Sequence, residues 1–90
     1  MATKLRDRSV SWERDDFKRP DGVVMECYKV RYRNWHLTVQ CETDSDGENG
    51  SWMYITRWPD FHAGPHGAAF DKHDAMNIAC RVVRNQTRGR

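Results

Sequence analysis

A two-residue alternation of apolar and polar positions runs through most of residues 9–58 and gives way after residue 70 to the 3.6-residue period of a helix. The alternation is clearest in 35–42, where Trp35, Leu37, Val39 and Cys41 interleave with His36, Thr38, Gln40 and Glu42. That is the mark of a strand buried on one face. Residues 23–33 form the longest strand candidate, with Val24, Tyr28, Val30 and Tyr32 on one face and Met25, Cys27, Lys29, Arg31 and Arg33 on the other. Glu26 breaks the first set. Residues 9–14 place Val10 and Trp12 together as a short edge strand, and in 51–58 Met53 and Ile55 oppose Trp52, Tyr54, Thr56 and Trp58. Turn signals stand between these runs at Pro20-Asp21-Gly22, Arg33-Asn34, Asp46-Gly47 and Asn49-Gly50. A charged connection over 14–22 has Phe17 as its single anchor.

Pro59 cannot donate to a sheet ladder, so the last strand is expected to stop there. Residues 59–69, with Gly64-Pro65 and Gly67, then read as an eleven-residue loop, a length more often associated with function than short turns are. The helix is expected over 70–84. Asp71 is placed to cap it, Asp74 to close a short-armed capping box, and Phe70 to pack on Ala75 as a hydrophobic staple. Its apolar arc, through Ala75, Ile78, Ala79, Val82 and Val83, leaves a narrow polar strip at Asn77, Arg81 and Arg84. An arc that wide must press on a sheet. The expected fold class is therefore α+β: a small antiparallel four-stranded meander with one C-terminal helix packed across one face. Residues 1–90 form one domain, with 1–8 and 85–90 expected as mobile ends.

Composition narrows the function classes. With 38% hydrophobic and 31% charged residues and a mean hydropathy of −0.95, the chain is too polar for a helical membrane protein. Its 11% aromatic content is too high for disorder. No apolar run approaches a transmembrane helix and the first ten residues lack a signal-peptide core, so a cytoplasmic location without membrane association is expected. Cys27, Cys41 and Cys80 show neither C-x-x-C spacing nor an even count, which points to reduced, partly buried thiols. The net charge of +2 conceals a basic N-terminal part, an acidic middle over 41–60 and a basic C-terminal part.

One helix covers one sheet face and leaves the other open. With Val10, Trp12, Tyr28, Val30, Tyr32, Trp35, Leu37, Val39, Met53 and Ile55 assigned to the helix side, basic and aromatic side chains share the open side. Lys29, Arg31, Arg33, Trp52, Tyr54 and Trp58 are the expected partner-binding residues, with the aromatic rings as anchors and the arginines at the rim. A protein partner is the first expectation and a nucleic acid the alternative, its phosphates on the basic residues and its bases on Trp52 or Tyr54. A third is self-association through the aromatic face or the 9–14 edge, giving a homo-oligomer.

The helix opening, with Phe70, Asp74, Ala75 and Ala79 in an F-x-x-x-(D/E)-A-x-x-x-A pattern, resembles that of the arm-binding domains of phage integrases and of plant AP2 domains. That resemblance implies a sheet laid on DNA. The acidic 42–48 stretch and the long segment before the helix depart from it. In size and in the want of a catalytic constellation, the chain is similar to the small inhibitors and adaptors that phages and mobile elements direct at host machinery, anti-CRISPR proteins among them.

No catalytic residue, metal ligand or cofactor is expected. His62 and His66 have an H-x3-H spacing without a matching third and fourth ligand. Asp44, Asp46 and Glu48 suggest a calcium loop, but Asn49 and Ile55 stand where such a loop needs glycine and a bidentate glutamate. Adjacent His73 and Asp74 point about 100° apart on a helix and form no dyad.

Overall fold

Nine residues of uninterrupted alternation make β5 (Trp35–Thr43) the centre of the sheet. The computed structural model describes residues 10–43 and 50–88. β5 pairs antiparallel with β4 (Cys27–Tyr32) on one side and with β6 (Gly50–Arg57) on the other. β1 (Glu13–Arg14) extends the sheet beyond β4, and β7 (Ala63–Ala69) beyond β6. The order is β1-β4-β5-β6-β7, and β2 (Phe17–Lys18) with β3 (Val24–Met25) forms a separate two-stranded ribbon. The fold is α+β with an antiparallel sheet and one C-terminal helix, but with five plus two strands in place of a four-stranded meander.

Two of those additions correct the expected topology. The 23–33 run is not one strand: it breaks at Glu26, so that Val24 and Met25 pair with Lys18 and Phe17 while Cys27 onward joins the main sheet. Residues 15–17 then close over Cys27, whose N–H donates to Asp16 and whose carbonyl accepts from Asp15 N, leaving the thiol 2% exposed. Burial raises that thiol above its ordinary pKa. The expected 59–69 loop is the second correction, because Ala63–Ala69 is a full edge strand. It shows no apolar alternation because its task is to lie close against β6. A Cβ on Gly64 would stand 2.6 Å from Thr56 Oγ1 and 3.0 Å from a Trp35 ring carbon, and one on Gly67 would stand 3.1 Å from the Tyr54 hydroxyl. Pro65 falls where the β6–β7 pairing shifts register between Ile55 and Arg57, an irregularity of an edge strand at which a missing N–H is tolerated.

Arg33 and Asn34 have φ of 51° and 72° between the paired Tyr32 and Trp35, as a two-residue type I′ hairpin requires. The 44–49 hairpin dipeptides and acidic residues, like residues 1–8, lie outside the described residues.

α1 (Lys72–Thr87) packs across β5, β6 and β7. Its cap is as expected: Asp71 accepts from Asp74 N at 2.8 Å, and Asp74 accepts in return from Phe70 N at 2.9 Å. The staple is not. Phe70 is 89% exposed, and Ala75 meets the sheet instead. The helix also runs past Arg84 to Thr87, so residues 85–87 are helical rather than part of a loose end. Ala75, Ala79, Cys80 and Val83 are its buried residues. The small alanines of the integrase-like pattern thus bring the helix backbone close to the sheet, a packing role.

Beneath the helix lie Tyr32, Trp35 and Leu37, with Val10, Trp12, Val30, Tyr54 and Trp58 packed around them. Trp35 and Trp58 rings stand 4.1 Å apart. Burial of each such side chain contributes on the order of 1.5–3 kcal/mol. The exposed edges offer little for pairing with another copy, since β1 has two residues and β7 carries Pro65.

Candidate functional site

Directly opposed residues of antiparallel strands share a face, so the pairings read out the side away from the helix in rows. One row runs Glu13, Lys29, Thr38, Ile55, His66. The next runs Arg31, His36, Arg57 and ends at Ala63. A third joins Cys27, Gln40, Met53 and Ala68, and at its Cys27 end this face is covered by residues 15–17. This open face is polar and basic at its centre, with Ile55 and Met53 as a partly buried floor.

Charge is compensated unevenly across it. Lys29 pairs with Asp15 at 3.2 Å, and Gln40 donates to Glu42 at 2.5 Å. Arg31 and Arg57 have no ion-pair partner among the described residues. They flank His36 on the two neighbouring strands, about 10 Å apart at the backbone. Such a row of cations disfavours the sheet slightly by repulsion and favours an incoming anion.

The β6–β7 connection shapes the end of this face. Phe61 N donates to Trp58 O at 2.7 Å and Trp58 N donates to His62 O at 2.9 Å, closing a tight turn over Pro59 and Asp60. The Phe61 ring stacks on His36, with centroids 4.0 Å apart and planes 13° from parallel. His36 Nε2 lies 3.4 Å from the Pro59 carbonyl, to which it can only donate. Asp60 accepts from His62 N and pairs with His62 Nδ1 at 2.7 Å, which holds its carboxyl below the usual pKa range. Phe61, Arg31, His36, Thr38 and Arg57 line a shallow depression of about 400 Å³, with Lys29 and the carboxylate of Glu13 at its β1 side.

Of the six residues expected to bind a partner, Lys29 and Arg31 lie on the open face. Arg33 sits in the β4–β5 turn, over the Tyr32 ring at 5.3 Å and 3.3 Å from Thr87 Oγ1, where it fastens the end of the helix. Trp52, Tyr54 and Trp58 belong to the helix side. Leu37 faces Thr56, Val39 faces Tyr54 and Cys41 faces Trp52, which puts the β6 aromatic residues in register with the core and turns Met53 and Ile55 outward. This reverses the expected parity of that strand. Two tryptophans and a tyrosine offer far more apolar area than Met and Ile, and the fold turns the larger set toward the helix, where all three are half-buried. Trp52 lies against Tyr28 at 6.4 Å, beside Lys72, which sits over the Tyr28 ring and reaches Glu26 at 3.8 Å.

Arg57 and Phe61 are the open-face residues the sequence reading missed. Arg57 follows from β6 parity once the aromatic set is taken as buried, whereas no periodicity marks Phe61. His62 and His66 do not converge: His62 pairs with Asp60, and His66 stands opposite Ile55 in the strand. Among the described residues no group of His, Cys, Asp and Glu is placed to hold a metal ion, and no helix is long and apolar enough to cross a membrane.

The fold and this face together define a small α+β domain with a basic sheet surface on the side away from its C-terminal helix. No protein-family model matches the chain, and neither curated proteins nor solved structures yield a match to it.

Proposed function

We propose that this protein is a non-catalytic binding domain whose open sheet face docks on the phosphate backbone of a nucleic acid. The observation that carries the reading is the Arg31–His36–Arg57 row, in which two guanidinium groups, without carboxylate partners among the described residues, are held side by side by the pairing of three strands. Thr38 and Gln40 add hydrogen-bonding side chains beside them. With Trp52, Tyr54 and Trp58 turned toward the helix, the aromatic cluster expected as the anchor of a protein interface is not on this face, which carries the single ring of Phe61 among its described residues. Two arginines contacting phosphates give a salt slope of roughly −1.4 to −1.8, hence about a ten-fold loss of affinity between 50 and 200 mM salt. Fluorescence polarisation with labelled mixed-sequence duplex and single-stranded DNA at those two salts tests this. No binding to either at low salt would sink it.

A second reading, a protein partner as for phage-type inhibitors, draws on one observation. Phe17, Val24, Phe61 and Phe70 stand more than half exposed, at 53%, 55%, 65% and 89%. They are spread over the ribbon, the β6–β7 turn and the helix start. Loss of pulldown partners in Phe17→Ser or Phe70→Ser variants, with no nucleic-acid binding, would favour it.

A further inference from the structure

The ring of Phe61 is held on the open face at a cost to the backbone. Its φ of 72° lies in the left-handed region, where a bulky side chain is a genuine outlier and where this type of hairpin turn ordinarily places glycine or asparagine. Burial does not explain it, because 65% of Phe61 is open to solvent, and strained backbone of this kind clusters at functional sites. What the conformation achieves is placement: one side of the ring is backed by His36, itself fixed on the central strand, and Arg31, Arg57 and Thr38 line the depression beside it.

A flat ring, stiffened from behind and flanked by cations, suits a flat π-system that carries negative charge on either side. An unpaired nucleotide in a strand has that form. A base in a duplex does not, since both of its faces are already stacked. We infer that Phe61, backed by His36, is a stacking platform for an unpaired base, with Arg31 and Arg57 on the adjoining phosphates, so that the domain prefers single-stranded nucleic acid to duplex. This rests on the reading of the open face as a phosphate-binding surface. Phe61 supplies the discrimination and the arginines the common electrostatic attraction.

Three labelled probes of equal length separate these contributions: an oligothymidine, a mixed duplex, and an abasic single strand that keeps the phosphates and lacks the bases. The oligothymidine is expected to bind about ten-fold more tightly than the abasic strand at the same salt. Phe61→Gly, which suits the positive φ and leaves the turn intact, is expected to abolish that difference without changing the salt slope. Phe61→Trp is expected to preserve it. Circular dichroism and thermal melting of both variants guard against an unfolded sample. Equal binding of all three probes, reduced by Arg31→Ala and untouched by Phe61→Gly, would overturn the stacking platform and leave the phosphate-binding face standing. No binding of any probe at low salt would overturn both.

Discussion

Phe61 stacks on His36 across 4.0 Å while its own backbone sits at a φ of 72°, so the stack and the strain act on the fold in opposite directions. A non-glycine residue in the left-handed region costs about 1–2 kcal/mol, and an aromatic pair contributes about 0.5–1.5 kcal/mol. Phe61→Gly removes both, whereas Phe61→Ala removes the stack and keeps most of the strain. Urea denaturation should find the glycine variant more stable than the alanine variant by about 1 kcal/mol. Equal stabilities would mean that the turn is not strained at this position.

The edge strand offers a graded test of close packing. Gly64→Ala places a methyl group 2.6 Å from Thr56 Oγ1, whose hydroxyl donates to the Pro65 carbonyl at 2.7 Å, and 3.0 Å from the Trp35 ring. For Gly67→Ala the nearest atoms all belong to the Tyr54 side chain, at 3.1–3.3 Å. Overpacking of this kind costs about 1–3 kcal/mol, and about 4–8 °C in Tm per kcal/mol for a domain of this size. Thermal melting should rank Gly64→Ala well below Gly67→Ala. The reverse order would show that β7 does not pair in this register.

Because Tyr54 and Trp58 belong to the core side, their removal is expected to act on stability first. Trp58→Ala deletes the ring packed at a tilt against Trp35 and should destabilise by about 2–4 kcal/mol, somewhat less than a fully buried aromatic would. A cooperative melt shifted down by more than about 8 °C would agree. An unchanged melt accompanied by lost binding would return these aromatics to the interface role that the sequence pattern suggested.

Asp16 ties the covering segment to β4 through Arg14 and the Cys27 N–H. The hydrogen bond from Arg14, then that from Cys27 N, holds its pKa below the ordinary 3.8. A depressed carboxyl stabilises the fold above its unfolded pKa and loses that contribution as pH falls through the folded value. The Tm gap between the native protein and Asp16→Ala should therefore be constant near neutrality and close as pH drops below about 3.8. A gap that persists at pH 2 would assign it to packing rather than charge.

Arg57→Ala and Arg31→Ala are expected to leave stability within about 0.5 kcal/mol, as unpaired surface residues do, while each lowers the salt slope of nucleic-acid binding by about 0.7–0.9. Isothermal melts and titrations at three salt concentrations would measure both quantities on the same samples. A variant that loses affinity equally at every salt would assign the residue to something other than a phosphate contact.

Local pattern was enough to determine much of this protein. The alternation of Trp35 to Cys41 defines the central strand, the Arg33-Asn34 pair defines a tight hairpin, and Asp71 with Asp74 defines the helix start, because each depends on neighbours a few residues away. Only the tertiary structure decided which side of β6 faces the helix. Alternation divides a strand into two sets without saying which is inside, and here the balance of apolar area across β5 and β6 turns Trp52, Tyr54 and Trp58 to the helix side. The same holds for β7, whose glycines and alanines carry no strand signal of their own and become a strand only against the Tyr54 and Thr56 side chains. It holds too for the candidate site, since Arg31, His36, Arg57 and Phe61 come from three strands and a turn and meet only when the register between them is set.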